Sequence, residues 1–184
     1  MRISGGSLRG RRVSVPPGAI RPSMDRMRES VFAALGDIAG LSFLDIFSGT
    51  GIIALEAASR GAAYIEAVEA DPLKRKTLLE NVAISPVRIQ CRFMAAELYV
   101  MRAKKKFDII FLDPPFPYKF KGELLDSVAR SALVSNETKI LLHRPRNDFQ
   151  TEGIETLRLA ERREYGRSIV DFFEIVNKKI TIKN

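Results

Sequence analysis

The residues of this chain best suited to chemistry are the tetrapeptide Asp113-Pro114-Pro115-Phe116. It follows the apolar run 107–112, which predicts a buried strand that ends just before the carboxylate. Proline fixes its own φ angle and restricts the residue before it. The Asp113 carboxylate and the Pro114 carbonyl oxygen are therefore expected in one geometry. With the flat ring of Phe116 beside two hydrogen-bond acceptors, the segment suits a planar group that carries an amine, such as a nucleobase.

A glycine-rich turn between a predicted strand and a predicted helix is the second chemical signal. Gly49, Gly51 and Ala54 have the spacing of the dinucleotide-binding fingerprint. Glu69 ends the next predicted strand, where a carboxylate can accept hydrogen bonds from both ribose hydroxyls. Taken alone, this pattern fits a nicotinamide dinucleotide and S-adenosylmethionine equally well, and some glycine turns bind nothing.

Asp45, in the strand that enters the glycine turn, favours one of these cofactors. The pyrophosphate of a dinucleotide docks on the helix N-terminus and would be repelled by a carboxylate in the same loop. S-adenosylmethionine has no phosphate, and its amino and sulfonium groups are cationic. Together with the tetrapeptide after the fourth strand, Asp45 predicts a methyltransferase. Both sites would lie at the carboxyl ends of central strands, where open α/β sheets bind ligands.

The elements that must position these residues follow from the hydrophobic pattern. Strands are predicted at residues 41–47, 64–69, 87–92, 107–112, 139–143, 155–161 and 169–176, and helices at 52–60, 72–82, 95–103 and 122–132. This alternation predicts an α/β domain of Rossmann-like architecture, in which a mostly parallel, seven-stranded sheet carries helices on both faces.

Composition narrows the classes of protein and site. With 184 residues and 46% hydrophobic composition, the chain can bury one sizeable core. Cys91 is the only cysteine and His143 the only histidine. A disulfide within the chain, a cysteine-rich zinc cluster and a multi-histidine metal site are therefore excluded, and we predict no metal. His143 ends a predicted strand and is expected to be a packing or surface residue. Because no apolar signal region or membrane span is evident, we expect a cytoplasmic protein. A monomer is the default expectation for its oligomeric state.

Positive charge is concentrated at the N-terminus. The formal net charge is +8, and residues 1–28 hold seven arginines against Asp25 alone. Glycine turn signals predict that residues 2–15 form two short strands of a basic hairpin, and Ser23 is a plausible N-cap for a helix to about Leu35. We therefore predict an RNA-binding appendage at 1–38 and a catalytic domain at 39–184.

Arginine forks match phosphate oxygens, so this segment is predicted to bind nucleic acid. The candidate contacts are Arg9, Arg11, Arg12, Arg21, Arg26 and Arg28.

Three further segments carry a resemblance to a known family. They are RISGGSLRGR at 2–11, RPSMDRMRESVF at 21–32 and LEAASRGA at 55–62. With the tetrapeptide and the glycine turn, they resemble the RsmD family of bacterial 16S rRNA guanine-N2 methyltransferases over nearly the whole chain. The resemblance implies a class I fold, S-adenosylmethionine as cofactor, and the small ribosomal subunit as the partner that presents the RNA.

The resemblance also implies residue roles. Asp113 and the Pro114 carbonyl would accept the hydrogens of the guanine amine, while Phe116 would stack on the extruded base. The implied cofactor-binding residues are Asp45, Phe47, Gly49, Gly51, Glu69, Ala95 and Asp113. Phe93 and Met94 precede Ala95 where the family often has a polar residue.

Other functions remain compatible with the motifs. The tetrapeptide serves any planar amine, so adenine N6 or a protein glutamine are alternative targets. A nicotinamide-dependent oxidoreductase and a catalytically idle RNA-binding assembly factor are alternatives from other classes.

Overall fold

The structure of the chain, a computed structural model, describes residues 1–15, 23–148 and 154–176. The strands are β1 (Ser42–Ile46), β2 (Tyr64–Val68), β3 (Ile89–Arg92), β4 (Ile109–Leu112), β5 (Lys139–Pro145), β6 (Leu157–Tyr165) and β7 (Ser168–Ile175). The helices are α1 (Ser23–Leu35), α2 (Ile52–Ser59), α3 (Arg75–Val82), α4 (Ala96–Arg102) and α5 (Lys121–Arg130). A single 3-10 turn at Pro72–Lys74 leads into α3.

The seven strands of the described residues join one sheet in the order β3-β2-β1-β4-β5-β7-β6. Strands β1 to β5 pair in parallel, whereas β7 pairs antiparallel with both β5 and β6. Strands β2 and β3 lie on one side of β1. The chain then returns to the centre of the sheet, and β4 and the later strands lie on the other side of β1. The loops after β1 and β4 therefore diverge and leave a crevice at their carboxyl ends, where such sheets bind ligands. The predicted fold class is confirmed.

Alternating side chains along each strand supply two separate cores. Phe43 and Ile109 face one core, which is closed by α1, α2 and the N-terminal segment. Their neighbours Leu44 and Ile110 face the other core, which is closed by α4 and α5. Because both faces of a parallel sheet are covered, its strands read as continuous apolar runs. The predicted helices on both faces are therefore present.

The N-terminal segment reverses direction, but it does not form the two strands that we predicted. One isolated bridge joins Arg2 to Arg12, and the Ile3 amide donates to the Arg11 carbonyl at 3.0 Å. The reason lies in helix α2, which takes over the backbone donors of the loop. The amides of Ser7 and Leu8 donate to the carbonyl and hydroxyl oxygens of Ser59, at 2.7 and 2.8 Å.

This basic loop (residues 1–15) packs into the first core through the buried side chains of Ile3, Leu8 and Val13. Gly6 lies so close to α2 that a Cβ there would sit 1.8 Å from the Ser59 carbonyl oxygen. The boundary at residue 38 stays a prediction. Among the described residues, no helix is long and apolar enough to cross a membrane.

Candidate active site

Neighbouring strands bring the two predicted halves of the site together. Ile46 of β1 pairs with Leu112 of β4, and the Asp113 amide donates to the Ile46 carbonyl at 3.1 Å. This pairing fixes the start of the tetrapeptide beside the glycine turn. Asp45, Phe47, Gly49 and Asp113 consequently line one cavity.

Asp45 is the least satisfied polar group of this cavity. The side chain is buried, and Oδ2 accepts hydrogen bonds from the Ser48 hydroxyl at 2.6 Å and the Ala54 amide at 3.2 Å. Oδ1 is buried without a partner among the described residues. Burial, assisted by the negative charges of Asp113 and Glu69, raises the pKa of Asp45 to about 7.

These observations on Asp45 fit S-adenosylmethionine. Its cationic amino and sulfonium groups could pair with the free oxygen of Asp45, whereas a pyrophosphate would be repelled there.

The glycine turn is held by close packing against α3. Gly51 has φ of +78°, a conformation that side chains rarely adopt. A Cβ at this position would meet the Leu78 Cδ1 atom at 2.6 Å. Phe47, at the entrance to the turn, also has positive φ, of 66°. Strained backbone of this kind clusters at ligand sites.

Three other predicted cofactor residues lie away from the lining of the cavity. Glu69 sits behind the glycine turn, where Oε2 accepts from the Gly49 amide at 2.7 Å and Oε1 from the Asp71 amide at 2.8 Å. Ala95 is exposed at the start of α4, and Gly51 shapes the turn from the side of α3. Their contacts with a cofactor stay predictions.

A second cavity opens on the other side of the tetrapeptide. This groove, of about 970 Å³, is lined by the tetrapeptide itself, by the loop that follows β5 and by the β6–β7 turn. Asp113 lines both cavities. A ligand in the first cavity and a second ligand in the groove would therefore meet at its carboxylate.

Lys121 braces the tetrapeptide from behind. The side chain is 2% exposed, and Nζ donates to the carbonyls of Phe116, at 2.8 Å, and Tyr118. The same ammonium pairs with Asp148, in the loop after β5, at 2.8 Å. Sequence reasoning missed this residue. The sequence feature that could have identified Lys121 is its position in the first turn of α5, where the helix dipole disfavours a cation.

His143 is also different from what the sequence suggested. It is 4% exposed and its Nδ1 lies 2.7 Å from Asp113 Oδ1, so it is a partner of the central carboxylate. Its ring meets the Phe116 ring edge-on, with 5.6 Å between centroids. The sequence feature that could have predicted this contact is that His143 and Asp113 each follow an apolar run. When these two runs pair as β4 and β5, the residues that follow them become neighbours.

The structure contradicts the predicted RNA contact at Arg28. It is 1% exposed; its Nε donates to Glu56 at 3.3 Å, and one terminal nitrogen donates to Asp25 at 2.7 Å. A guanidinium enclosed in this way is unavailable to a phosphate, so Arg28 is structural.

The other candidate arginines divide between exposed residues and one that is not described. Arg9, Arg11, Arg12 and Arg26 are exposed, as a phosphate footprint requires. Arg21 lies outside the described residues. Within residues 1–15, 23–148 and 154–176, no group of three or more histidine, cysteine or acidic side chains could hold a metal ion.

Comparison with known proteins decides the family. The family described as "Conserved hypothetical protein 95" matches residues 1–174. The chain is also 34% identical, over 145 residues, to "Ribosomal RNA small subunit methyltransferase D" of Escherichia coli K12, across 76% of this chain and 72% of that protein. This chain belongs to the RsmD family. The expected family membership is confirmed, and it favours methyl transfer over the nicotinamide-dependent alternative.

Solved structures agree with the RsmD assignment. A structure described as "Putative methyltransferase yhhF from Escherichia coli" superposes with a TM-score of 0.85 at 28% identity, covering 95% of this chain and 97% of that one. A "putative sam-dependent methyltransferase from Streptococcus mutans", at 17% identity, shares the fold alone, with a TM-score of 0.68 over 85% of this chain and 50% of that one. The class I methyltransferase fold is therefore confirmed.

Proposed function

We propose that this RsmD-family enzyme transfers a methyl group from S-adenosylmethionine to the N2 amine of a guanine in 16S rRNA of the small ribosomal subunit, as a cytosolic monomer. Family membership carries the coarser statement, that the chain is an rRNA methyltransferase. The observation that supports the finer statement is that Asp113 lines two cavities, one that also contains Asp45 and one that also contains Phe116.

The first cavity holds the cofactor in this proposal. When bound, S-adenosylmethionine supplies an electrophilic methyl group. Asp45 would pair with its cationic portion through the oxygen that has no partner among the described residues. The backbone of Phe47 and Gly49 would hold the remainder close to the glycine turn.

The groove holds the target base in this proposal. The lone pair of a guanine amine is delocalised into the ring, which makes the amine a poor nucleophile. Asp113 and the Pro114 carbonyl would accept its two hydrogens and turn the lone pair toward the methyl donor. Fixed acceptors of this kind lower a barrier by orientation and electrostatics. Phe116 would stack on the base, which is worth about 1–3 kcal/mol in comparable complexes.

The exposed arginines of the basic loop extend this site toward the RNA. Met1 and Val15, at the two ends of the loop, line the cofactor cavity. Arg9, Arg11 and Arg12 therefore belong to a segment that is anchored at the site. We propose that they contact phosphates next to the extruded nucleotide.

The decisive experiment is transfer of tritiated methyl to small subunits from cells that lack this protein, followed by nucleoside analysis. Naked 16S rRNA, DNA and bulk protein serve as parallel acceptors. Label in N2-methylguanosine of 16S rRNA is expected. Label in N6-methyladenine would keep the chemistry and overturn the base, and absence of label despite cofactor binding would favour an assembly factor.

The role of Asp113 is tested in the same assay. Asp113→Ala is expected to lower kcat by about 10²–10³-fold or more, because a positioned hydrogen-bonding group is lost. Its affinity for S-adenosylhomocysteine should remain close to wild type. Asp108→Asn, at the opposite end of β4, is the matched control and should retain activity. Wild-type turnover by Asp113→Ala would exclude the assigned role.

A further inference from the structure

Lys121 is buried at a place where a positive charge is unfavourable for two reasons. Its side chain is 2% exposed, and removing an ammonium from water is costly. It also lies in the first turn of α5, where the helix dipole disfavours a cation. An apolar side chain of similar length would fill the same space without either cost. The reason for a lysine here must therefore lie in the groups that its ammonium contacts.

The partners of Lys121 belong to two loops that line the groove beside the tetrapeptide. Nζ donates to the Phe116 carbonyl at 2.8 Å and to the Tyr118 carbonyl, both in the loop that follows β4. The same atom lies 2.8 Å from the Asp148 carboxylate, in the loop that follows β5. Phe116 lines the groove from the first loop, and residues 145–147, directly before Asp148, line it from the second. One buried ammonium thus joins these two loops.

The loop after β4 has few backbone donors of its own. Three of the five residues that follow Asp113 are prolines, which have no amide hydrogen. The segment therefore cannot continue the hydrogen-bond ladder of the sheet through them. The hydrogen bond from Lys121 to the Phe116 carbonyl supplies an external donor and fixes the peptide that follows Phe116. It thereby restrains the backbone from which the Phe116 ring extends.

We propose that Lys121 is a positioning residue for methyl transfer: it joins the loops after β4 and β5 and so holds the Phe116 ring in place to stack on the target base. This inference rests on the proposed function, in which Phe116 stacks on the extruded base, and adds the residue that fixes the ring. Lys121 itself contacts neither base nor cofactor in this role. It acts on the rate of transfer and not on RNA affinity, which the exposed arginines of the basic loop provide.

The first test is single-turnover methyl transfer to small ribosomal subunits by Lys121→Met, which loses the donors and keeps an unbranched side chain. The rate constant should fall by roughly 10–100-fold, since a misplacement of about 1 Å costs up to about 100-fold. Affinities for the subunits and for S-adenosylhomocysteine should stay close to wild type. Rates are expressed per S-adenosylhomocysteine site, so that an unfolded fraction does not count as slow turnover. A wild-type rate would contradict the proposal.

A double-mutant cycle with Phe116→Ala distinguishes positioning from a general structural role. Phe116→Ala alone should lower the rate by roughly 10–100-fold, the value of one stacking contact. The double variant should stay within about threefold of the slower single variant, because Lys121 then has no ring to hold. A loss equal to the product of the two single losses would overturn the proposal.

The control for charge is Lys139→Met. Lys139 is exposed at the start of β5, so this change removes the same charge away from the groove. It should keep the wild-type rate, and a loss equal to that of Lys121→Met would contradict the proposal.

Asp148→Ala tests the same link while leaving α5 and its lysine intact. It removes the carboxylate through which Lys121 is joined to the loop after β5. The single-turnover rate should fall by a smaller factor, roughly 3–10-fold, because the hydrogen bonds from Lys121 to the loop after β4 remain. An unchanged rate in Asp148→Ala would contradict the joining of the two loops.

Mobility of the ring can be measured without catalysis. The chain has no tryptophan, so Phe116→Trp introduces a single fluorophore at the position of the ring. Its fluorescence anisotropy decay should show a restrained side chain, and adding Lys121→Met should introduce fast local motion that Lys139→Met does not. Equal local motion in all three proteins would overturn the inference. If wild type methylates no guanine, the proposed function fails, and this measurement still decides whether Lys121 holds the ring.

Discussion

Two buried carboxylates on consecutive elements, Asp45 of β1 and Glu56 of α2, differ in whether both of their oxygens have hydrogen-bond partners. Glu56 is fully buried and satisfied on both oxygens. Its Oε1 accepts from the Ser4 amide at 2.6 Å and from Arg28 at 3.3 Å, and its Oε2 accepts from Arg60 at 2.5 Å. Asp45 is just as buried, yet one of its oxygens has no partner in the described chain.

The difference separates a structural charge from a functional one. Removing a carboxylate from water costs several kcal/mol, which a folded protein offsets with cations and hydrogen bonds. Glu56 has these partners and fastens the basic loop and α1 to α2. Asp45 lacks such a cation among the described residues and lines a cavity. A buried carboxylate held in this state is a candidate ligand site, since the missing partner can be supplied by what binds there.

Glu56→Gln should have the largest effect on the free energy of unfolding. Loss of the carboxylate leaves the buried Arg28 without its buried counter-charge, since its other acidic partner, Asp25, is exposed, and breaking a buried pair costs about 3–5 kcal/mol. Urea denaturation is the measurement. Glu80→Gln is the control, because Glu80 is exposed and its change is expected within about 0.5 kcal/mol. If Glu56→Gln lowers the free energy of unfolding by no more than Glu80→Gln does, Glu56 is not the structural charge described above.

Asp45→Asn should instead affect binding. Losing one member of a buried charge pair costs about 2–5 kcal/mol, so affinity for S-adenosylhomocysteine is expected to fall by roughly 100-fold. Titration calorimetry measures this change, and thermal unfolding at pH 8 should show no loss of Tm. Unchanged affinity would mean that the partnerless oxygen does not meet the cofactor.

The pKa of Asp45 predicts a pH dependence that this variant should lack. With a pKa of about 7, the carboxylate is largely protonated below that pH, and a cationic ligand binds the ionised form. Wild-type affinity should therefore fall by about tenfold for each pH unit below 7 and level off above it. A flat wild-type profile between pH 5.5 and 8.5 would contradict the assignment.

Ionisation of Asp45 should raise ligand affinity but lower the stability of the unliganded protein. The folded pKa is raised above the ordinary value of 3.8, so the folded state holds a proton between pH 3.8 and about 7 that the unfolded state releases. Stability of the wild type should consequently decline as pH rises through this window. The difference in Tm between Asp45→Asn and wild type should grow in favour of the variant over the same range. A difference that stays constant with pH would show that Asp45 does not titrate in this window.

A smaller effect extends the contrast to the arginines. Arg28 is buried and paired, whereas Arg9, Arg11 and Arg12 are exposed. Replacing these three with serine should weaken RNA binding and lower the slope of log affinity against log salt by about 0.7–0.9 for each lost phosphate contact. Arg130→Ser, on α5 and paired with Asp126, is the control and should leave the slope unchanged. The same slope in the triple variant would argue against this footprint.

Local patterns in the sequence were sufficient for the sheet and the helices that cover it, but not for the N-terminal loop. The apolar runs that became β1, β2 and β4 predicted strands to within two residues, because a strand buried on both faces has a continuous apolar sequence. The ends of β5 and β6 were less well predicted. Both strands run farther than expected, to Pro145 and Tyr165, because their antiparallel pairing with β7 extends beyond the apolar segment.

The candidate site was predictable where it depends on short motifs. Asp45 and Asp113 were identified because a carboxylate that follows or interrupts an apolar run is conspicuous. The turn at Gly51 was identified because Gly49, Gly51 and Ala54 have the spacing of the dinucleotide-binding fingerprint. Lys121 was missed because its partners lie in two different loops, and no local pattern joins those loops.

The sequence by itself determined where the strands and helices form and which residues lie at their carboxyl ends, because periodicity, proline and glycine act on a few neighbouring residues. The tertiary structure alone decided which charged and polar groups have partners. Arg28 meets Glu56 across 28 residues of chain, and His143 meets Asp113 across 30. Such contacts depend on the register of paired strands and on the packing of helices. For the same reason, only the folded chain distinguishes a satisfied carboxylate from one that is left for a ligand.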